Sequence, residues 1–577
     1  MRATVLLLSA AAMLLPACGC EKPLLEPQKP RTIEVPPYLT DTIGQRAVIG
    51  GLELIDVHGV GLVTGLNGTG SSVYPQGLRD RMLKELARHR VEGREAILAD
   101  PNNAVVLVNG YVPAGSRAGE AFDLLVLAAP ATQTTSLEGG TLLMVELARL
   151  GPARVGLARG PVLADGRGEL FVSPFVLEDR PAPGPANLRP VAPGEERPPA
   201  APAAEPARQS DPRVARILGG GACRQDRGFF LQLLEPSQRT VEQVVRHINA
   251  RFPDAAKGKV ELGLINLKVP GTFVDEKRHF LEVISAIYLI DSPDQRERRM
   301  RDLVAELRAG RDPSQVTAAL EAFGPPVAAL LEPLLAEANG GVRFHAAWTL
   351  ARLGRANVVP SLEKFVRDDA SPYQEQAVHA LGELRGAGAA VIFEALEAKS
   401  PKVRIAAYLM LRRVAPSMLR IAPVPGRVEL GLAPSRAEPF IYVSRRLEPR
   451  IVIFGQARVR PPLLVDTPRY LVSVAEGGQR LTIMNKRYGP TCRLETGLDV
   501  AEVVAAMAGP LAPAQDDTRP RALDLSYCDL VGFLDQASKK GALSAPLVFE
   551  PLEIVAPAAE FPATPGGPET DIVIPNR

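Results

Sequence analysis

The sequence is poor in the residues that metal and redox sites need. Its 577 residues include five cysteines and six histidines. There is no Cys-x-x-Cys, and His58, His89, His247, His279, His345 and His379 fall in no His-Glu-x-x-His spacing. No metal centre or cofactor is expected from such a set. Aromatics are scarce, at 5% with a single Trp, so the cores must be built from aliphatic side chains. An excess of one charge is also missing. The 67 basic and 65 acidic residues leave a net +2, which gives no reason to expect nucleic acid as a partner. Long hydrophobic runs are absent beyond the start of the chain. Val5–Leu15 is mostly apolar but too short to span a bilayer, and nothing later approaches eighteen uninterrupted apolar residues.

The residues just after that first run read as an address. Leu15-Pro16-Ala17-Cys18 is similar to a bacterial lipobox, with small Ala17 before the cysteine. Residues 1–17 then form a signal peptide, and Cys18 is the expected site of lipidation and membrane anchoring. Ordinary signal cleavage is the alternative, and export is implied in both cases. Past Cys20 there remain Cys223, Cys492 and Cys528. Cys492 and Cys528 are the candidate disulfide, because both lie in the C-terminal domain. Closing that loop adds about 3–4 kcal/mol where geometry allows. Three free thiols remain the other reading.

Proline is abundant, with 54 residues, and it marks the domain organisation. Residues 18–40 read as a Pro-rich tether. Residues 41–179 read as a first β-rich domain, with strands at Ala104–Val112 and Phe122–Leu127. Its helix, Gln76–Val91, carries Leu78, Met82 and Leu86 on one side. Residues 180–212 hold ten prolines and many alanines, and read as an extended linker. A second α+β region spans 213–292. It includes a strand at Phe229–Leu234, a helix capped by Thr240 that runs through Phe252, and a strand at Val260–Val269.

Residues 293–419 change to helices alone, and a repeat is visible. "VRFHAAWTLARLG" from Val342, "YQEQAVHALGELRG" from Tyr373 and "VRIAAYLMLRRVA" from Val403 align Ala346, Ala377 and Ala407. Leu350, Leu381 and Leu411 align in the same way. The segment is similar to HEAT-type repeats, although a 30-residue step is short for them. As an insertion, it should be removable without unfolding its flanks. A third α+β region spans 420–555, with a strand at Arg450–Phe454, a strand at Ala457–Val465 interrupted by two prolines, and helices at Val500–Met507 and Leu530–Ala542. The tail, 556–577, is Pro-rich. The fold class is therefore α+β: mixed β-rich domains interrupted by an all-α solenoid.

The densest motif is "GVGLVTGLNGTGSS", Gly59 to Ser72. Gly65–Ser72 has P-loop spacing, but Ser71 occupies the lysine position, so nothing would cancel phosphate charge. Gly59, Gly61 and Gly65 miss the dinucleotide fingerprint by one residue. The plainer reading is a tight turn after a buried strand, with glycines at positive φ. Asp56 and His58, the nearest candidate acid and base, are expected to line that turn.

This motif resembles the G-x-G-L-V-x-G-L-x-G-T-G-D-S block of the flagellar P-ring protein family, matched here by Gly59, Gly61, Gly65, Asn67, Gly68, Thr69 and Gly70. "LEGGTLLMVEL" (137–147), "GLARGPVL" (156–163), "FFLQLLEPSQRTVEQVVRHINARFP" (229–253), "RIVIFGQARVRPPLLVD" (450–466) and "LVGFLDQASKKGALSAPL" (530–547) resemble further family blocks in the same order. The resemblance implies a non-enzymatic structural subunit with no cofactor. It implies P-ring-like domains and self-assembly into a homo-oligomeric ring in the periplasm. The ring would surround the flagellar rod near the peptidoglycan and adjoin the L-ring proteins of the basal body. The chain departs from the family pattern at Ser71, at Val145–Glu146, at the lipobox and in the helical repeats. These departures leave an exported lipoprotein adaptor as the alternative, with the repeats as its binding surface. An enzyme is the remote third reading: there is no Gly-x-Ser-x-Gly elbow.

Overall fold

The protein is described by a computed structural model covering residues 33–550, except 34, 89, 151–158, 173–210, 260–262, 385, 423, 425–427, 487–491, 510–512, 515–516 and 521. The signal peptide, Cys18, most of the tether, nearly all of the linker and the tail lie outside the described residues.

The described chain starts with α1 (Ile43–Arg46) and β1 (Ala47–Gly50), then β2 (Ile55–Thr64), α2 (Gln76–Arg88) and α3 (Arg94–Ala99). Next come β3 (Ala104–Val112), β4 (Ala121–Ala128), β5 (Thr141–Leu150), β6 (Arg159–Glu169) and β7 (Val214–Cys223). Strands β2, β3, β4, β7, β6 and β5 close into a barrel in that order, with antiparallel neighbours throughout. Alternate residues fill its interior, among them Val57, Val63, Val106, Val108, Leu124, Val126 and Leu147. On the outer face α2 and α3 cover β2 and β3, burying Met82, Leu86 and Leu98 against Leu62 and Val105.

The linker at 180–212 does not divide two folds. β7 lies beyond it and closes the barrel between β4 and β6. Without β7 both of those strands would present open edges, so the barrel depends on it. β1 is exchanged in the opposite sense. It precedes the barrel in sequence but pairs with β8 (Phe229–Leu233). Their sheet runs β1-β8-β10-β9, with β9 (Ala256–Lys259) and β10 (Leu264–Leu267). Over it packs α4 (Gln238–Arg251), which buries Val241, Val244 and Ile248. Its N-cap is Ser237 and not Thr240: the Ser237 hydroxyl accepts the Thr240 amide at 3.1 Å.

After α5 (Lys277–Ser285) the helical array begins: α6 (Pro293–Ala309), α7 (Pro313–Phe323), α8 (Ala328–Leu331), α9 (Gly340–Arg352), α10 (Val359–Arg367), α11 (Gln374–Gly382), α12 (Ala389–Glu394) and α13 (Pro401–Val414). Ala346, Ala377, Ala407, Leu350, Leu381 and Leu411 are all fully buried. The small residue lets stacked helices approach, and the leucine fills the layer between them. The array does not have a separate core. One buried cluster runs from Phe229 in β8 through every repeat to Phe440 and beyond. The array is therefore packed into its flanks as well as joined to them by chain.

The C-terminal region holds two sheets. The first uses β11 (Arg420–Ala422), β12 (Glu429–Ala433), β13 (Phe440–Val443), β14 (Arg450–Phe454) and, at the end of the described chain, β21 (Leu547–Phe549), in the order β11-β12-β14-β13-β21. Every residue of β13 and β14 is buried, because both faces of this sheet are covered. The second sheet is β15 (Leu463–Asp466), β16 (Tyr470–Val474), β17 (Leu481–Asn485) and β18 (Arg493–Thr496). β15 begins only after Pro461 and Pro462, which cannot donate to a ladder. α14 (Val500–Ala508), the pair β19 (Pro513–Ala514) and β20 (Asp517–Pro520), and α15 (Tyr527–Lys539) complete the region. α15 starts three residues before the expected Leu530, because Ser526 and Asp529 form a reciprocal capping box.

Candidate functional site

The glycine motif divides into two parts with different reasons for glycine. Gly59 and Gly61 lie in β2 and face the barrel interior. A Cβ at Gly61 would stand 2.7 Å from Leu142 Cδ1, and one at Gly59 would stand 2.9 Å from the Glu146 carbonyl oxygen. Six strands enclose too narrow a space for a side chain at every inward position, so glycines alternate with Val and Leu. Asp56 and His58 are in this strand too, and do not line a turn. The His58 Nδ1 lies 2.9 Å from Asn109 Oδ1 across the ladder.

The loop proper is Gly65 to Ser72. Gly65, Asn67 and Gly68 have φ of 85°, 36° and 80°, the left-handed conformation a tight turn demands. Its polar groups are turned onto protein. The Leu66 amide donates to Asn102 O at 2.9 Å, Gly70 to Pro101 O at 2.9 Å and Ser71 to Asn103 O at 2.8 Å. Gly68 donates to Asn102 Oδ1 at 2.8 Å. The Thr69 hydroxyl is 2.9 Å from the Ser136 carbonyl, and the Thr69 carbonyl accepts the Thr135 amide at 2.9 Å. At Gly70 any side chain would overlap the Asn103 carbonyl. A phosphate cradle needs a row of free amides; these amides are spent on the 101–103 segment, while the Thr69 hydroxyl and carbonyl bond to residues 135–136. Ser71, where the resembling family has Asp, is buried: its hydroxyl donates to Val73 O at 2.7 Å and accepts the Gln133 amide at 3.2 Å. A carboxylate could not make the first of these bonds.

The neighbouring Gly139-Gly140 pair joins the barrel to the C-terminal core. A Cβ at Gly140 would overlap Val63, and one at Gly139 would overlap the Arg469 guanidinium. Arg469 uses that space to reach Asp529, which has no exposed side-chain surface, at 3.1 Å. Nearby, Asp123 Oδ1 accepts the Gly219 amide at 2.7 Å and the Leu447 amide at 2.9 Å. Phe171 pairs by backbone with Arg216, and its ring lies 5.6 Å from that of Tyr527.

A second seam fixes the helical array. His279 on α5 places Nε2 2.6 Å from the buried Glu321 carboxylate on α7, and Nδ1 3.5 Å from Glu282. Burial alone would lower the imidazole. Its hydrogen bonds to Glu282 and Glu321 outweigh that and raise it to about 9. Beside it, Arg352 on α9 pairs with Glu276 at 2.7 Å and lies over the Trp348 ring. At the far end of the array Arg404 is buried 4.5 Å over Phe440 and donates to Glu438 O. Glu429 there receives both Arg412 and Arg450.

These groups hold surfaces together and leave little for chemistry. Among the described residues, no group of three His, Cys, Asp or Glu side chains is placed to hold a metal ion. Cys223, Cys492 and Cys528 are buried and free, and burial pushes all three thiols up. The pairing of Cys492 with Cys528 is not made. Cys528 turns its Sγ toward the Val172 carbonyl at the barrel seam, 3.5 Å away, whereas Cys492 lies next to β17 with its carbonyl on the Asn485 amide. Sequence reading missed Arg469, Asp529, Asp123, His279 and Glu321, since their partners are 40 or more residues away. The Ser526-x-x-Asp529 spacing was the one local signal.

The architecture is a closed barrel and two α+β regions fused to a helical-repeat array. Comparison with known proteins gives the same division. Residues 43–172 match the family model of the flagellar P-ring protein, and residues 302–382 match that of HEAT repeats. The chain is 29% identical over 210 residues to the flagellar P-ring protein of Caulobacter vibrioides, covering 35% of this chain and 48% of that protein. It is 26% identical over 341 residues to that of Rhodopseudomonas palustris, covering 57% and 79%. With that of Nitrobacter hamburgensis it shares 35% identity over 144 residues, covering 25% and 36%. The match thus spans about half the length of the Caulobacter vibrioides relative. The resemblance to the flagellar P-ring family is found, with HEAT repeats added to it.

Proposed function

We propose that this protein is a structural subunit of a flagellar basal-body P ring, assembling with its own copies in the periplasm around the rod and next to the L-ring proteins. The observation that carries this reading is the match of residues 43–172 to the flagellar P-ring family, over the segment whose glycine-rich loop packs on its own chain. The seams support it: a ring needs subunits of fixed shape, because many identical heterologous contacts must close. The exposed Leu143 and Met144 on β5, at an irregularity between Leu142 and Val145, suit a surface that meets protein. Lipidation at Cys18 would hold such a subunit at a membrane, within reach of the peptidoglycan. The repeats favour a second reading, an exported lipoprotein adaptor that binds a protein on its helical face.

Negative-stain electron microscopy of the purified protein tests the first reading: annular particles are expected. Persistent folded monomers at high concentration would favour the adaptor. A Cys18→Ser variant should leave the membrane fraction, and unchanged fractionation would remove the anchor.

A further inference from the structure

One sheet edge is built to accept a strand. β11 ends the five-stranded C-terminal sheet and, among the described residues, pairs only with β12. Its Ile421 is 41% exposed and nearby Met418 is 37% exposed, both large apolar groups beside an unpaired ladder. Arg420 on the same strand is exposed and pairs with no carboxylate among the described residues. Proteins usually blunt such an edge with charge, proline or a cover; here the strand is three residues long and Pro423 follows it, yet Ile421 and Met418 stay exposed beside the one cation.

The opposite edge of this sheet is β21, from which the chain leaves at Glu550 toward residues 551–577. That segment lies outside the described residues, and its sequence contains one strand-like stretch. After Pro565-Gly566-Gly567-Pro568 comes Glu569-Thr570-Asp571-Ile572-Val573-Ile574-Pro575. Three β-branched apolar residues, preceded by two acids, match an apolar edge that carries an unpaired arginine. We propose that Ile572–Ile574 adds as a strand to the β11 edge of a second copy, with Asp571 near Arg420. This rests on the ring reading and names one of its contacts.

A second copy fits better than the same chain. The sheet is five strands wide, about 19 Å between its edges. Both of its faces are covered. Phe440, Tyr442, Val452 and Phe454 belong to the core shared with α13, and Ile441, Val443, Ile451 and Ile453 to the core shared with α14 and α15. Within one chain the segment would have to pass around those helices. Between copies it only has to leave one edge and meet the other. Twenty-one residues separate Glu550 from Ile572, enough to reach about 70 Å when extended. Each copy then gives one strand and takes one, a head-to-tail contact of the kind that makes a ring when the rotation between copies closes.

Disulfide trapping tests this in the full chain carrying Cys18→Ser and Cys20→Ser, where the other cysteines are buried. A copy with Ile421→Cys is mixed with a tagged copy carrying Val573→Cys and then oxidised. A cross-linked pair is expected, falling at least about tenfold when Ile572→Ser and Ile574→Ser are added, since two buried isoleucines are lost. No cross-link between copies would overturn the proposal, as would bonding within one chain only when both cysteines share it. Microscopy separates this from the ring reading. Rings formed by a chain cut after residue 569 would overturn the strand contact and leave the ring reading standing. Cross-linking by a full chain that forms no rings would support the contact and remove the ring reading.

Discussion

The two seams of this molecule are joined by different means. The barrel meets the C-terminal core through a few close contacts: the Leu447 amide on Asp123, the Phe171 ring against Tyr527, and the space at Gly139 that admits Arg469. The helical array meets the second α+β region through charge, with His279 on Glu321 and Arg352 on Glu276. The first seam depends on side chains that are missing, the second on protons and charges that are present. The first should therefore fail when atoms are added or the buried Arg469–Asp529 pair is cut, and the second when pH changes.

The severest way to break the comparison is to remove one side of it. Deleting residues 293–419 should lower the melting temperature of what remains, because the array shares one core with the second α+β region and with one face of the β13–β14 sheet, and its loss uncovers both. Thermal melts followed by circular dichroism read this; an unchanged transition in the deletion would show that the array does not support its flanks. Next comes Arg469→Ala, which leaves the buried Asp529 without its cation and should cost about 3–5 kcal/mol in urea unfolding. Hydrogen exchange should rise at Leu137–Gly140 and at the start of α15, and not in the repeats.

The ionic seam is sharpened by titration. His279 has a raised pKa in the folded state, so its contribution is fully present below the ordinary histidine pKa. It is lost as pH rises through about 9. Stability measured from about pH 6 to 10 should fall across that window, and His279→Gln should flatten the fall; an unchanged slope would rule the seam out as its source. The smallest effect belongs to the surface. Arg88 pairs with Glu85 and Glu146 but is half exposed, so Arg88→Ala should shift stability by only about 0–1 kcal/mol.

Much of the fold was legible locally. The alternation of Ala104–Val112, the apolar row of α2 and the aligned Ala and Leu of the repeats each report a periodicity within one element. So did the failed P-loop, since a single missing lysine can be seen without a structure. The seams were not legible in this way. Gly139 looks like an ordinary turn glycine until Arg469 arrives from 330 residues away, and Glu321 looks like a solvated helix residue until α5 covers it.

The chain by itself determined the longer helices, several of the strands and the repeats, because those depend on neighbours two to four residues apart. It also determined that its densest glycine motif lacks the cation a phosphate site needs. Only the tertiary structure decided which pieces belong together: β7 crosses the linker to close the barrel, β1 leaves the barrel for the next sheet, and the array shares one core with the sheet before it and one face of the sheet after it. The reason is that closing a barrel or covering a sheet face is settled by edges and apolar area summed over the whole molecule, and no local pattern carries that sum.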